Sequence, residues 1–106
     1  MFFELREYRI LPGQMDKWID FMQDVIIPFQ SGKGMIIVGS FVSTEEDDLY
    51  IWIRRFENES AKVELYEKVY ESEIWKTDIC PNIPSMMDRD RIVVRRISPS
   101  SKSIIR

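Results

Sequence analysis

Five side chains in this chain have the types and positions to hold a ligand: Arg6, Tyr8, Phe41, Trp52 and Arg54. A guanidinium is a planar fork of N–H donors that matches a carboxylate or an enolate, so Arg6 or Arg54 suits a small organic anion. Tyr8 offers a proton donor and acceptor, Trp52 an apolar wall, and Phe41 joins them if the strand register allows. Two features of the composition narrow the chemistry further. The chain has no His, which removes histidine triads, the usual zinc sites and the commonest general base. It has one Cys, Cys80, so neither an intrachain disulfide nor a cysteine metal cluster can form, and its Ile and Pro neighbours suggest an ordinary thiol. The acidic run Glu45–Asp48 lacks the ligand alternation of a calcium loop and reads as a solvated turn. No cofactor and no metal is expected.

The elements that carry these residues follow from periodicity. Phe2–Ile10 reads as a strand with Glu4, Arg6, Tyr8 and Ile10 on one face. Those charges mean either surface charge on an edge strand or a polar pocket partly enclosed by the fold. Pro12-Gly13 ends the strand. Met15, Trp18, Ile19, Met22, Val25, Ile26 and Phe29 then recur at helical steps, giving a helix to about Phe29 that Pro28 tightens or ends. Met35–Val42 is almost wholly apolar and is expected to be a central strand, with Gly39 marking a bulge or close approach. Leu49–Phe56 is a third strand. Its Leu49, Ile51 and Ile53 face suits the helices, and its Tyr50, Trp52, Arg54 and Phe56 face suits a ligand or a second subunit. Asn58 caps a helix from Glu59 to about Glu73. Residues 77–88 form an irregular or helical excursion able to cover a cavity mouth, Arg91–Ile97 the last strand, and residues 98–106 a mobile polar tail.

The order β-α-β-β-α-β predicts an α+β domain over residues 1–97 of ferredoxin-like type, with an antiparallel four-stranded sheet and both helices on one face. The face left bare predicts a homodimer, sheet against sheet, enclosing a barrel-like interior. A net charge of −3 with interspersed signs argues against nucleic acid. No apolar run reaches the ~20 residues of a membrane span. A cytoplasmic location is expected.

The segment ELREYRILPGQMDKW resembles the opening of the NIPSNAP family, a Glu-Leu-Arg-x-Tyr strand followed by Pro-Gly and a helix with an early Trp. GSF, YIWIRRFEN and ESEIWKT look similar to later parts of it, so the resemblance runs from about Phe3 to Ile97. It implies the dimeric α+β barrel fold. The wider superfamily includes cofactor-independent monooxygenases and haem-degrading enzymes, and the lack of His departs from the haem-binding members. Three functions are therefore open. One is binding of a small organic or anionic ligand by Arg6, Tyr8, Phe41, Trp52 and Arg54 between the bare sheet face and the second helix. Another is monooxygenase-like chemistry on a substrate carbanion there. The third is a purely structural dimeric module.

Overall fold

The computed structural model describes residues 1–106. Strand β1 (Phe2–Ile10) leads into α1 (Met15–Phe21), a π turn (Met22–Ile26) and α2 (Ile27–Gly32), which follow one another without a break. Strands β2 (Ile36–Val42) and β3 (Leu49–Phe56) form a hairpin, α3 (Glu59–Tyr70) follows, and a second π turn (Trp75–Ile79) and a short 3₁₀ turn (Cys80–Asn82) lead to β4 (Met87–Ile97). The four strands make one antiparallel sheet in the order β2-β3-β1-β4. This is the expected ferredoxin-like α+β arrangement.

Local chemistry accounts for the junctions. Gly13 turns the chain after Pro12 with a φ of 76°, a conformation that a Cβ would strain. The Asn58 side chain accepts a hydrogen bond from the Ala61 N–H at 2.7 Å, capping α3 as its sequence predicts. Pro28 neither ends nor tightens its helix. In the π turn ahead of it the Ile27 N–H donates to the Met22 carbonyl, five residues back, and this wider turn leads the helix on through a residue with no N–H to give. The same device recurs in the second π turn, where the Cys80 N–H donates to the Trp75 carbonyl immediately before Pro81.

Three expectations about the sheet are corrected. Strand β1 is central, flanked by β3 and β4, so its charged residues do not defend an edge. Strand β2, which looked central because it is apolar, is an edge strand, and Ile36, Val38, Phe41 and Val42 are exposed. The two faces of β3 also exchange places. Tyr50, Trp52, Arg54 and Phe56 face the helices and are buried there. Leu49, Ile51 and Ile53 lie on the uncovered face, where Ile51 and Ile53 are half-buried. The reason is size and polarity together. The broad aromatic rings fill the layer beneath the helices, and the one charge among them is fully hydrogen-bonded except at a single nitrogen.

The core has two parts on the helix side of the sheet. The larger joins Tyr8, Ile10, Tyr50 and Trp52 to Trp18, Met22 and Ile26 of the first helical stretch, and to Ile79, Ile83, Met86 and Met87. The smaller packs Phe2 and Phe56 against Met35 and Val69. Between the two lies a belt of polar side chains. No helix is long and apolar enough to cross a membrane.

Candidate functional site

The belt begins with Glu4, on β1 and 4% exposed. Antiparallel pairing sets Glu4 beside Arg54 and Arg6 beside Trp52, on the same face of the sheet. One Glu4 carboxylate oxygen accepts from Arg6 Nε at 2.7 Å and from an Arg54 terminal nitrogen at 2.6 Å. The other accepts from the Tyr66 hydroxyl at 2.5 Å. Tyr66 in turn accepts from Arg6 at 3.1 Å and from Arg54 at 3.0 Å. Arg54 also donates to the Gln30 carbonyl oxygen at 2.8 Å and to the Tyr70 hydroxyl at 2.7 Å. The first helical stretch, α3 and both central strands thus meet at one guanidinium that is 0% exposed.

Burial alone would raise the Glu4 pKa. The charges of Arg54 and Arg6 and the Tyr66 hydrogen bond outweigh it and hold the carboxyl down at about 2. Burial pushes Tyr66 up to about 12 and also raises Tyr8, in each case against the pull of the arginines. The belt therefore contains one carboxylate, neutral phenols and two guanidiniums, and carries one positive charge more than negative.

That unmatched charge borders a cavity. It has a volume of about 280 Å³ and lies between the sheet and the helices of a single chain. Arg6, Tyr8 and Trp52 line it, together with Trp18, Tyr66, Tyr70 and Trp75. Apolar walls come from Met22, Ile26, Ile83, Met87 and Ile92, and Gln30 and the exposed Arg89 also border it. Arg6 spends one N–H on Glu4, one on Tyr8 at 3.2 Å and one on Tyr66, which leaves two of its five free. The buried side-chain atoms without a partner are Trp18 Nε1, Trp52 Nε1 and Arg54 Nε, and all three are donors.

Of the five side chains nominated from the sequence, the fold brings Arg6, Tyr8 and Trp52 to this cavity and leaves two out. Arg54 lies behind it, consumed by Glu4, Gln30 and the two tyrosines, and is not part of the lining. Phe41 pairs with Ile51 on the opposite face of the sheet, 51% exposed, so the register does not allow it near Trp52. The cavity itself lies on the helix-covered face and not on the bare one, because the aromatic faces of β1 and β3 turn inward. Tyr66, Tyr70, Trp75 and Gln30 line it too, although the sequence pattern does not nominate them. Tyr66 and Tyr70 look like ordinary apolar positions of an amphipathic helix, and their i, i+4 spacing was the available signal. The stretch 77–88 does supply cavity wall, through Ile83 and Met87.

A more open hollow of about 580 Å³ lies near Pro12, bordered by Asp16, Asp47, Asp48 and Asp88 with Arg9 and Arg91. Arg9 is paired there with Glu46 and Asp48, both at 3.0 Å. No group of acidic, His or Cys side chains is arranged to hold a metal ion.

No protein-family model matches the chain, and no curated protein sequence does. Solved structures do. A NIPSNAP family protein from Agrobacterium tumefaciens superposes with a TM-score of 0.88 at 21% identity, over 99% of this chain and 98% of its own. A second from that organism, a NIPSNAP family protein of unknown function, gives 0.89 at 20% identity over 100% of this chain and 94% of its own. An uncharacterised NIPSNAP domain protein from Burkholderia xenovorans gives 0.85 at 15% identity over 97% of this chain and 98% of its own. The fold of this chain is the one these NIPSNAP proteins share.

Proposed function

We propose that this chain, with its NIPSNAP fold, is a NIPSNAP-type protein that binds a small, mainly apolar monoanion in the cavity between sheet and helices. The observation that carries the reading is the charge imbalance: two guanidiniums share one carboxylate, and the less buried of the two, Arg6, keeps two N–H groups free at the cavity wall. An isolated buried charge is costly, and an anionic ligand would relieve it. The Trp and Tyr rings suit a flat apolar body, and the volume lies just under the usual lower bound for ligand sites, ~300 Å³, which favours a small molecule.

All three tryptophans of the chain line this one cavity, so occupancy is readable from intrinsic fluorescence. Titration with phenylacetate should shift the emission, and titration with the neutral phenylacetamide should not. An Arg6→Ala variant that folds normally should lose the phenylacetate response. Equal responses to acid and amide would overturn the reading.

We further propose that the chain pairs with a second copy through the uncovered sheet face. There Ile36, Phe41, Val93 and Ile97 are exposed beside the half-buried Leu5, Ile51 and Ile53, apolar surface of the kind that marks an interface, interrupted by the Glu7–Arg95 ion pair and bordered at Phe3, Ile53 and Ile97 by residues 98–105. A monooxygenase-like activity draws support from Arg6, which would stabilise an enolate or carbanion. Against it, burial moves the nearby phenols away from neutrality and Glu4 is held ionised, which leaves no acid–base group of the belt tuned to pH 7. Ligand binding is the reading the geometry favours.

A further inference from the structure

The cavity has a polarity of its own, distinct from its charge. Each hydroxyl or amide oxygen that lines it already accepts from a guanidinium. Tyr8 accepts from Arg6, Tyr66 from both arginines, and Tyr70 and the Gln30 carbonyl from Arg54. Donors, in contrast, are left over. Trp18 and Trp52 are 1% and 2% exposed, and neither indole Nε1 has a protein acceptor. Arg6 retains two N–H groups. Tyr66 gives its proton to Glu4, while the protons of Tyr8 and Tyr70 have no acceptor among the side-chain hydrogen bonds of the fold. A buried donor without an acceptor costs the desolvation of that group, and one anionic group cannot satisfy two indoles as well as Arg6 unless it reaches all of them.

We infer that the cavity selects ligands that carry only acceptors: a carboxylate for Arg6 and, on the same small molecule, a second oxygen such as an oxo group for an indole N–H. This rests on the anion-binding reading and adds to it the class of ligand, an oxo acid in preference to a hydroxy or amino acid. An oxo group accepts and has nothing to donate. A hydroxyl adds a proton to a lining whose hydroxyl and amide oxygens each already accept from a guanidinium and which holds unpaired donors, and an ammonium adds three beside the guanidiniums. Sites built to hydrogen-bond one polar group discriminate strongly against analogues that leave buried groups unpaired.

The test compares four acids that differ at one carbon beside the carboxylate: benzoylformate (oxo), phenylacetate (methylene), mandelate (hydroxyl) and phenylglycine (ammonium). Calorimetry should give benzoylformate an affinity about tenfold above phenylacetate, with mandelate below benzoylformate and phenylglycine not binding. In ¹⁵N-labelled protein, which has three indole N–H signals to follow, benzoylformate should shift the Trp52 or Trp18 signal downfield, and phenylacetate should not. Trp52→Phe and Trp18→Phe identify the signals, and one of them should make benzoylformate and phenylacetate bind alike. If carboxylates bind through Arg6 but oxo and methylene acids are equal, or the hydroxy acid is preferred, the acceptor-only inference is wrong and the anion site stands. If none of the four binds, the anion-site reading falls with it.

Discussion

At the scale of single residues the site is a problem in charge arithmetic. Glu4 is the one carboxylate that makes the buried Arg54 and the half-buried Arg6 guanidiniums tolerable, so Glu4→Gln should be severely destabilising, by about 3–5 kcal/mol, because it leaves the buried Arg54 charge uncompensated. Urea denaturation of the variant against the parent protein measures this directly. The same residue sets an acid limit. Its folded pKa of about 2 lies below its ordinary value of 4.5, so its contribution to stability is present in full above about pH 4.5. It is lost as the pH falls from there through 2, and Glu4→Gln should flatten the stability profile in that window. Arg6→Lys keeps the charge but loses the fork, so phenylacetate affinity should fall roughly tenfold while the fold survives, as read by calorimetry and circular dichroism. The sequence made Arg6, Tyr8 and Trp52 legible because they alternate correctly on predicted strands. It could not place Arg54, whose partners Gln30, Tyr66 and Tyr70 stand 12 to 24 residues away along the chain.

At the scale of elements, most strand and helix positions are legible and strand roles are not; β4 starts at Met87, four residues before the expected Arg91. β1 and β3 fall where alternation and turn residues put them, and Asn58 caps α3. Exposure misled the reading of β2. An apolar strand is expected to be covered on both faces, but here Ile36 and Phe41 sit on a face that no element of the chain covers. The inward face of β3 is hidden in the sequence for the converse reason: an arginine among aromatics suggests exposure until its acceptors from other elements are known. Gly39 has a specific part in this strand. A Cβ there would overlap the ring of Phe41. The ring is half exposed and can move, so Gly39→Ala should leave the thermal midpoint within a few degrees of the parent while displacing Phe41. If Phe41 packs against a second copy, the alanine variant should associate more weakly in sedimentation.

At the scale of the whole molecule, two surfaces are kept apart by the thickness of one sheet. The cavity belongs to a single chain, bounded by the helix-covered face, and the exposed apolar patch belongs to the other face. Assembly and binding are therefore separable. A charged substitution on the far face, Phe41→Glu, should reduce a dimer to monomers by size-exclusion chromatography with light scattering, and the monomer should still bind phenylacetate. Loss of both together would mean that the partner copy shapes the cavity. The fold class was readable from element order alone. Which face holds the cavity was not, since that depends on how side chains from four elements satisfy one another.

The π turn at Met22–Ile26 is a matter of counting. Relative to a regular α-helix it holds one residue too many, and each residue of a regular helix turns the following ones by about 100°. Everything downstream is out of phase with everything upstream by that amount. Trp18 and Met22 lie inward on the early phase, and Gln30 lies inward on the late one, where it meets Arg54. Wound as a regular α-helix with the same residues, the later part would be turned by that angle of about 100°. Gln30 would then swing away from the guanidinium it serves, and Pro28 would sit in an ordinary helix with its ring against the carbonyl four residues back. The wider winding of that turn is thus what lets this run of residues, in its own count, address two different parts of the same site.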